Sequence, residues 1–317
     1  MKDFWNNLPK PIIALAPMAG INNIAFRIIC KKQGADVVYS EMISADGLYY
    51  QGKKTLTLLK ISAEEKPVVI QLFGKDPAKF PQAVKVAEKL GASGIDINFG
   101  CPAKRVISHG GGINLMRDLN LCHKIVKAAL DNTELPVSVK LRSSINIQGK
   151  KITALDFLKK ISDLPISAVM IHGRSYEQGF LGEINYKIIK DARKYFKGII
   201  LANGGITTPE KAFKALKEAK ADGLGLARGT YGRPWLFQQI KDYLQTKKFT
   251  EPSWPQKKKI ILKQAELALK HQKQHGLIEL RKHLLWYVKC LPYATDLRKE
   301  LVKVKTIQDI KKILSKI

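Results

Sequence analysis

One thiol in this chain stands where chemistry is easiest to build. Cys101 lies in Asn98-Phe99-Gly100-Cys101-Pro102-Ala103-Lys104-Arg105-Val106, directly after the apolar run Gly94-Ile95-Asp96-Ile97. Gly100 permits a tight bend, and Pro102 lets neither a ladder nor a helix run on. The cysteine therefore sits at a strand exit on a stiff turn. Lys104 and Arg105 follow it closely, and a positive field favours thiolate. A buried structural cysteine is the alternative reading.

Seven further apolar runs, 12–17, 37–42, 67–74, 136–142, 168–174, 198–205 and 223–229, also end in polar or glycine-rich clusters. With 94–100 they make eight strands rich in Val, Ile and Leu without strict alternation, as expected of strands covered on both faces. Helical periods over 76–90, 118–130, 153–161 and 209–220 lie between them, the last opening on a cap residue and Pro. Eight strand–helix units predict an α/β fold, a (β/α)8 barrel with its site at the C-terminal strand ends. A doubly wound sheet is the alternative, and the absence of an early GxGxxG speaks against it.

Those ends carry Pro17-Met18-Ala19, Glu41, Gln71, Asn98 with Cys101, Lys140 with Arg142, His172 with Arg174, Asn203-Gly204-Gly205, and Ala227-Arg228. Strand interiors read as almost free of polar groups. Glycines and Arg228 after the last two strands suit a phosphate. Gln71 suits a heterocycle edge, and Lys140 and His172 suit a ring carbonyl or sugar-phosphate, although His172 also reads as a core histidine. Together they imply a phosphorylated ring cofactor facing Cys101. The loop 108–112 reads as a flap or a plain turn, with His109 as a second candidate proton donor.

After residue 245 the pattern changes to helices only. Pro252, Trp254 and Pro255 read as a linker. Ile261, Leu262, Ala265, Ala268 and Leu269 share one helical face, and Leu277, Leu280, Leu284 and Val288 another. Residues 1–245 are thus expected to form the barrel and 246–317 a small helical domain. The 317-residue chain has net charge +28, with 19 Lys+Arg against 7 Asp+Glu in residues 241–317 and 36 against 20 in residues 1–240. The tail is about twice as basic per residue, which points to a polyanion partner. The four cysteines form no CxxC pair and suggest no disulfide framework and no metal site. The start of the chain lacks the apolar core of a leader, and no run is long enough to span a bilayer. A reduced, cytoplasmic protein is expected.

The cysteine motif, with Ala-Pro-Met-Ala-Gly at 16–20 and Ser-Glu-Met at 40–42, resembles the tRNA-dihydrouridine synthases, and the bacterial B-type branch above all. Gln71, Lys140-Leu141-Arg142, His172-Gly173-Arg174, Ala202-Asn203-Gly204, Gly232-Arg233-Pro234-Trp235 and Arg281-Lys282-His283 stand in the matching order. The resemblance implies FMN as cofactor, NADPH as reductant, and reduction of the C5–C6 bond of D-loop uridines in tRNA. It implies FMN contacts from Pro17, Met18, Ala19, Gln71, Lys140, His172, Asn203, Gly204, Gly205, Ala227 and Arg228. Cys101 becomes the general acid. Asn98, Lys104, Arg105, Arg142 and Arg174 face base or RNA, and Arg281, Lys282 and His283 grip the tRNA backbone. A monomer without protein partners is expected. Gly205, Ala227 and Arg105 depart from the family pattern. Competing readings are an FMN reductase of a free pyrimidine, similar to dihydroorotate dehydrogenase, a non-redox phosphate-binding barrel, and a non-catalytic tRNA binder.

Overall fold

The computed structural model describes residues 3–317; the expectation of no leader at the start of the chain falls in part on Met1 and Lys2, which lie outside the described residues. All eight expected strands form. They are β1 (Ile12–Leu15), β2 (Val37–Ser44), β3 (Val68–Phe73), β4 (Gly94–Phe99), β5 (Val137–Arg142), β8 (Ala168–His172), β9 (Ile199–Asn203) and β10 (Gly223–Leu226). Each pairs in parallel with its neighbours, and β10 returns to β1, closing a barrel. The expected helices appear as Phe80–Lys89, Leu119–Leu130, Ala154–Lys160 and Pro209–Ala219. Asp118, Thr153 and Thr208 cap the last three through their side chains, each satisfying an otherwise unpaired N–H of the first turn.

A hairpin of β6 (Ser144–Ile147) and β7 (Lys150–Thr153) is inserted after β5. Its two strands are not among the eight expected. Its signal was present: Ile145, Ile147 and Ile152 flank Gln148-Gly149, whose positive φ values of 48° and 84° suit the tight turn that joins antiparallel strands.

The barrel closes differently at its two ends. At the N-terminal end Trp5, from the short helix Phe4–Asn7, plugs an apolar layer of Ile12, Val37, Val69, Ala168 and Ile199. Higher in the barrel, Ser40, Gln71, Asp96 and Ser138 are buried polar side chains, which corrects the expectation of an interior almost free of them.

Beyond helix Leu236–Thr246 the chain is helical, with Trp254–Tyr287, Ala294–Leu301 and Ile307–Leu314. Trp254 and Pro255 are not linker residues. They form the first turn of the long helix, which Ser253 caps and where proline lacks only an N–H that would be unpaired anyway. That helix breaks at Lys273 (φ 54°, ψ −145°). Its first half lays Leu267 and Ala268 on Ile24, Ala25, Ile28 and Ile29 of helix Ile24–Lys32, while Leu269 is 40% exposed. Ile261, Leu277, Leu280, Leu284, Leu301 and Ile310 form a separate core with Trp235.

Candidate active site

A cleft of about 590 Å³ opens at the C-terminal ends of the strands, within the usual range for a small-molecule site. Of the residues expected there, Pro17, Met18, Ala19, Asn98, Cys101, Lys140, Arg142, His172, Asn203, Gly204, Gly205, Ala227 and Arg228 line it. Strand register explains the convergence. Asn98 lies beside Lys140, Arg142 beside His172, His172 beside Asn203, and Asn203 beside Gly225. Side chains two apart on one strand share a face, so each strand delivers one or two groups to the mouth.

Cys101 is held from below. Asn98 Oδ1 accepts hydrogen bonds from the backbone N–H groups of Gly100 (3.1 Å) and Cys101 (2.8 Å). Burial pushes the thiol above its ordinary pKa, and the Ala103 N–H, Lys140 and Arg142 pull the other way. The thiol is therefore protonated at neutral pH. This corrects the expectation of a thiolate promoted by Lys104 and Arg105, which are both exposed on helix Lys104–Ser108 and line no part of the cleft. Burial outweighs distant charge because desolvation penalises the ionised form directly. His109 is exposed, outside the cleft, with Nδ1 2.6 Å from the carbonyl of Arg105. Cys30 and Cys122 are buried elsewhere and Cys290 is exposed on the tail, so Cys101 alone among the four faces the cleft.

Lys140 is half-buried, and its pKa is lowered to about 8 by desolvation and Arg142, with Asp96 and Cys101 opposing. His172 is pushed down to about 2 by burial together with Lys140, Arg142 and Arg174. It is thus a neutral ring. Its Nδ1 accepts from the Arg174 N–H at 3.3 Å, which leaves the proton on Nε2, beside Gly204. Gly204 (φ 114°) and Gly205 (φ 69°) take conformations that side chains resist. At Gly229 a Cβ would stand 2.2 Å from the Ile206 carbonyl. The backbone here approaches as closely as it can, with Arg228 alongside, which is the chemistry of an anion cradle.

Five of the expected residues are placed otherwise than their expected roles suggest. Gln71 lies fully buried beneath the cleft, donating to Asp96 and accepting from Asn98. Arg142 spends Nε on the Gly100 carbonyl (3.2 Å) and Nη1 on those of Ser175 and Gly179 (both 2.8 Å); it pins the cysteine turn to the 173–185 loop. Arg174 lies outside the cleft and braces that loop through Gly182. In the tail, Arg281 gives Nε and Nη2 to the Val304 carbonyl. His283 is fully buried against Phe26 (ring centroids 4.7 Å) and pushed down to about 3 by burial, so it takes no backbone phosphate. Lys282 alone of the three reaches the rim, its Nζ near Gly20 and Glu41.

Met42, Phe180 and Tyr231 are among the lining residues not expected there. Met42 ends the Ser-Glu-Met strand end. Phe180 lies under the Arg228 guanidinium at 4.1 Å, on a loop with no periodic signal. Tyr231 stacks on Trp286 (4.0 Å, planes 9° apart), so the tail reaches the mouth.

The fold and site define a (β/α)8 barrel with a protonated thiol at its mouth and close-approaching glycine turns beside Arg228. The dihydrouridine synthase (Dus) family model matches residues 14–317, and the chain belongs to that family and is an oxidoreductase. It is 35% identical over 289 residues to the probable tRNA-dihydrouridine synthase of Rickettsia bellii, covering 90% of this chain and 88% of that one. It is 34% identical over 300 residues to tRNA-dihydrouridine synthase B of Pseudomonas aeruginosa, covering 94% and 90%. In fold it is similar to the old yellow enzyme homologue of Zymomonas mobilis, with a TM-score of 0.55 at 15% identity over 78% of this chain and 92% of that one.

Proposed function

We propose that this chain reduces the C5–C6 double bond of uridine in tRNA, with FMN as the resident cofactor and NADPH as its reductant. The observation that carries the reading is Cys101: a protonated thiol at the mouth of a cleft whose far side is an anion cradle. The cleft suits FMN chemically. Gly204, Gly205, the neutral His172 and Arg228 would hold the phosphate side, Pro17, Met18 and Ala19 would form an apolar wall, and Lys140 would meet the ring. FMN bound there would, once reduced, supply the hydride chemistry for uracil C6. Cys101 then gives its proton to C5, where charge develops as the double bond is lost. Asn98 keeps the thiol's turn in place while this happens. The uracil must leave the base stack to reach the cleft.

The basic tail and the Tyr231–Trp286 stack favour a polynucleotide over a free pyrimidine. Residues 1–245 would carry the chemistry and 246–317 the RNA grip, in a monomer acting in the cytoplasm on the D-loop. No helix among the described residues is long and apolar enough to cross a membrane. The test is the absorbance spectrum of the purified protein, followed on adding NADPH and then unmodified tRNA without oxygen. Flavin bands that bleach with NADPH and return with tRNA support the reading. A colourless protein that takes up no FMN overturns it.

A further inference from the structure

Beneath the cleft the barrel holds a carboxylate that the proposed reaction does not use. Asp96 is fully buried on β4, in register with Gln71 on β3 and Ser138 on β5. Its Oδ2 accepts from Gln71 Nε2 at 2.6 Å, and its Oδ1 accepts from the Ser138 hydroxyl at 2.7 Å. Gln71 Oε1 accepts from Asn98 Nδ2 at 2.9 Å. Asn98 Oδ1 in turn accepts from the N–H groups of Gly100 and Cys101.

This row of bonds has one consistent polarity. Backbone N–H groups only donate, so Asn98 must turn its oxygen to them and its NH2 to Gln71. Gln71 must answer with its oxygen and point its own NH2 down. Whatever lies below must then accept, and Asp96 is the group there. Burial raises its carboxyl to about 6, with Gln71, Ser138 and Lys140 opposing, and its Oδ2 is the acceptor that faces the Gln71 NH2. A reversed Gln71 would set two NH2 groups against each other in a buried place, which costs about 1–3 kcal/mol per unsatisfied group.

We propose that Asp96 is a positioning residue: it locks the Gln71 and Asn98 amides in the one orientation that holds the Cys101 turn, and so places the thiol. Its importance for turnover rests on Cys101 being the proton donor; its control of the turn does not.

The test therefore reads the turn without tRNA or NADPH. The quantity is the rate at which iodoacetamide alkylates Cys101, in a Cys290→Ser background that removes the exposed thiol, with the melting temperature alongside. Asp96→Leu is expected to raise that rate about tenfold as the turn loosens, the equivalent of one such buried bond. Asp96→Asn is expected to return it to within about twofold, because its oxygen can face Gln71 while its NH2 faces the Ser138 oxygen. In an Asn98→Ala background Asp96→Leu is expected to add less than about twofold, since residues acting through one chain are not additive. Should Asp96→Leu not fold, Gln71→Met breaks the same row and carries the same expectations. An unchanged rate, effects that multiply with Asn98→Ala, or an Asp96→Asn protein as reactive as Asp96→Leu would each overturn the proposal. Failure of the flavin or tRNA reading touches none of these outcomes.

Discussion

The barrel mouth and the helical tail treat their polar residues in opposite ways. At the mouth, thirteen of the residues singled out from strand ends line one cleft. In the tail, the three consecutive residues Arg281, Lys282 and His283 scatter: one braces a carbonyl, one reaches the rim and one is sealed in the interface with the barrel. The difference follows from geometry. Parallel strands in a closed barrel all end at the same place, so a strand-end position is nearly a spatial coordinate. Successive helical residues turn by about 100° each, so a basic triplet names three directions and not one surface.

The comparison breaks if mouth residues prove dispensable or if buried tail residues prove to bind. The largest effect is expected from Cys101→Ala. Flavin bleaching by NADPH should persist, while the return with tRNA slows by about 10²-fold or more, the span of a positioned acid; stopped-flow absorbance reads both. Arg228→Ala should weaken FMN binding by about 10- to 100-fold, the worth of a charged hydrogen bond, measured by titrating FMN into stripped protein. His283→Ala should cost about 2–4 kcal/mol of stability, as a large buried side chain does, and lower the melting temperature. Its salt dependence of tRNA binding should match that of the parent, because no phosphate contact is lost. Lys282→Ala should do the reverse: little change in melting, and a salt slope shallower by about one unit. The smallest effect is a pH limb. The lowered pKa of Lys140, about 8, means its charge is present below that pH and absent above it. FMN affinity should fall as pH rises through about 8, and the limb should vanish in Lys140→Met.

Much of the mouth was legible because it rests on type and place: glycines at strand exits, a thiol before proline, an arginine after the last strand. What escaped was of two kinds. Phe180 and Tyr231 reach the cleft from loops, where no period reports direction. Asp96 escaped although it stands in the apolar run that leads into the Cys101 motif, because an acid within such a run carries no sign of what it faces. Only register shows that Gln71, Asp96 and Ser138 lie side by side.

Sequence alone thus determined the barrel, its strand ends and the thiol at its mouth, since periodicity and turn chemistry are local properties that neighbouring residues settle among themselves. Tertiary structure decided the protonation of Cys101, the inward turn of His283 and the buried row from Asp96 to Asn98. Each depends on desolvation or on partners distant along the chain. Those are quantities that exist only once the strands have closed and the water has gone.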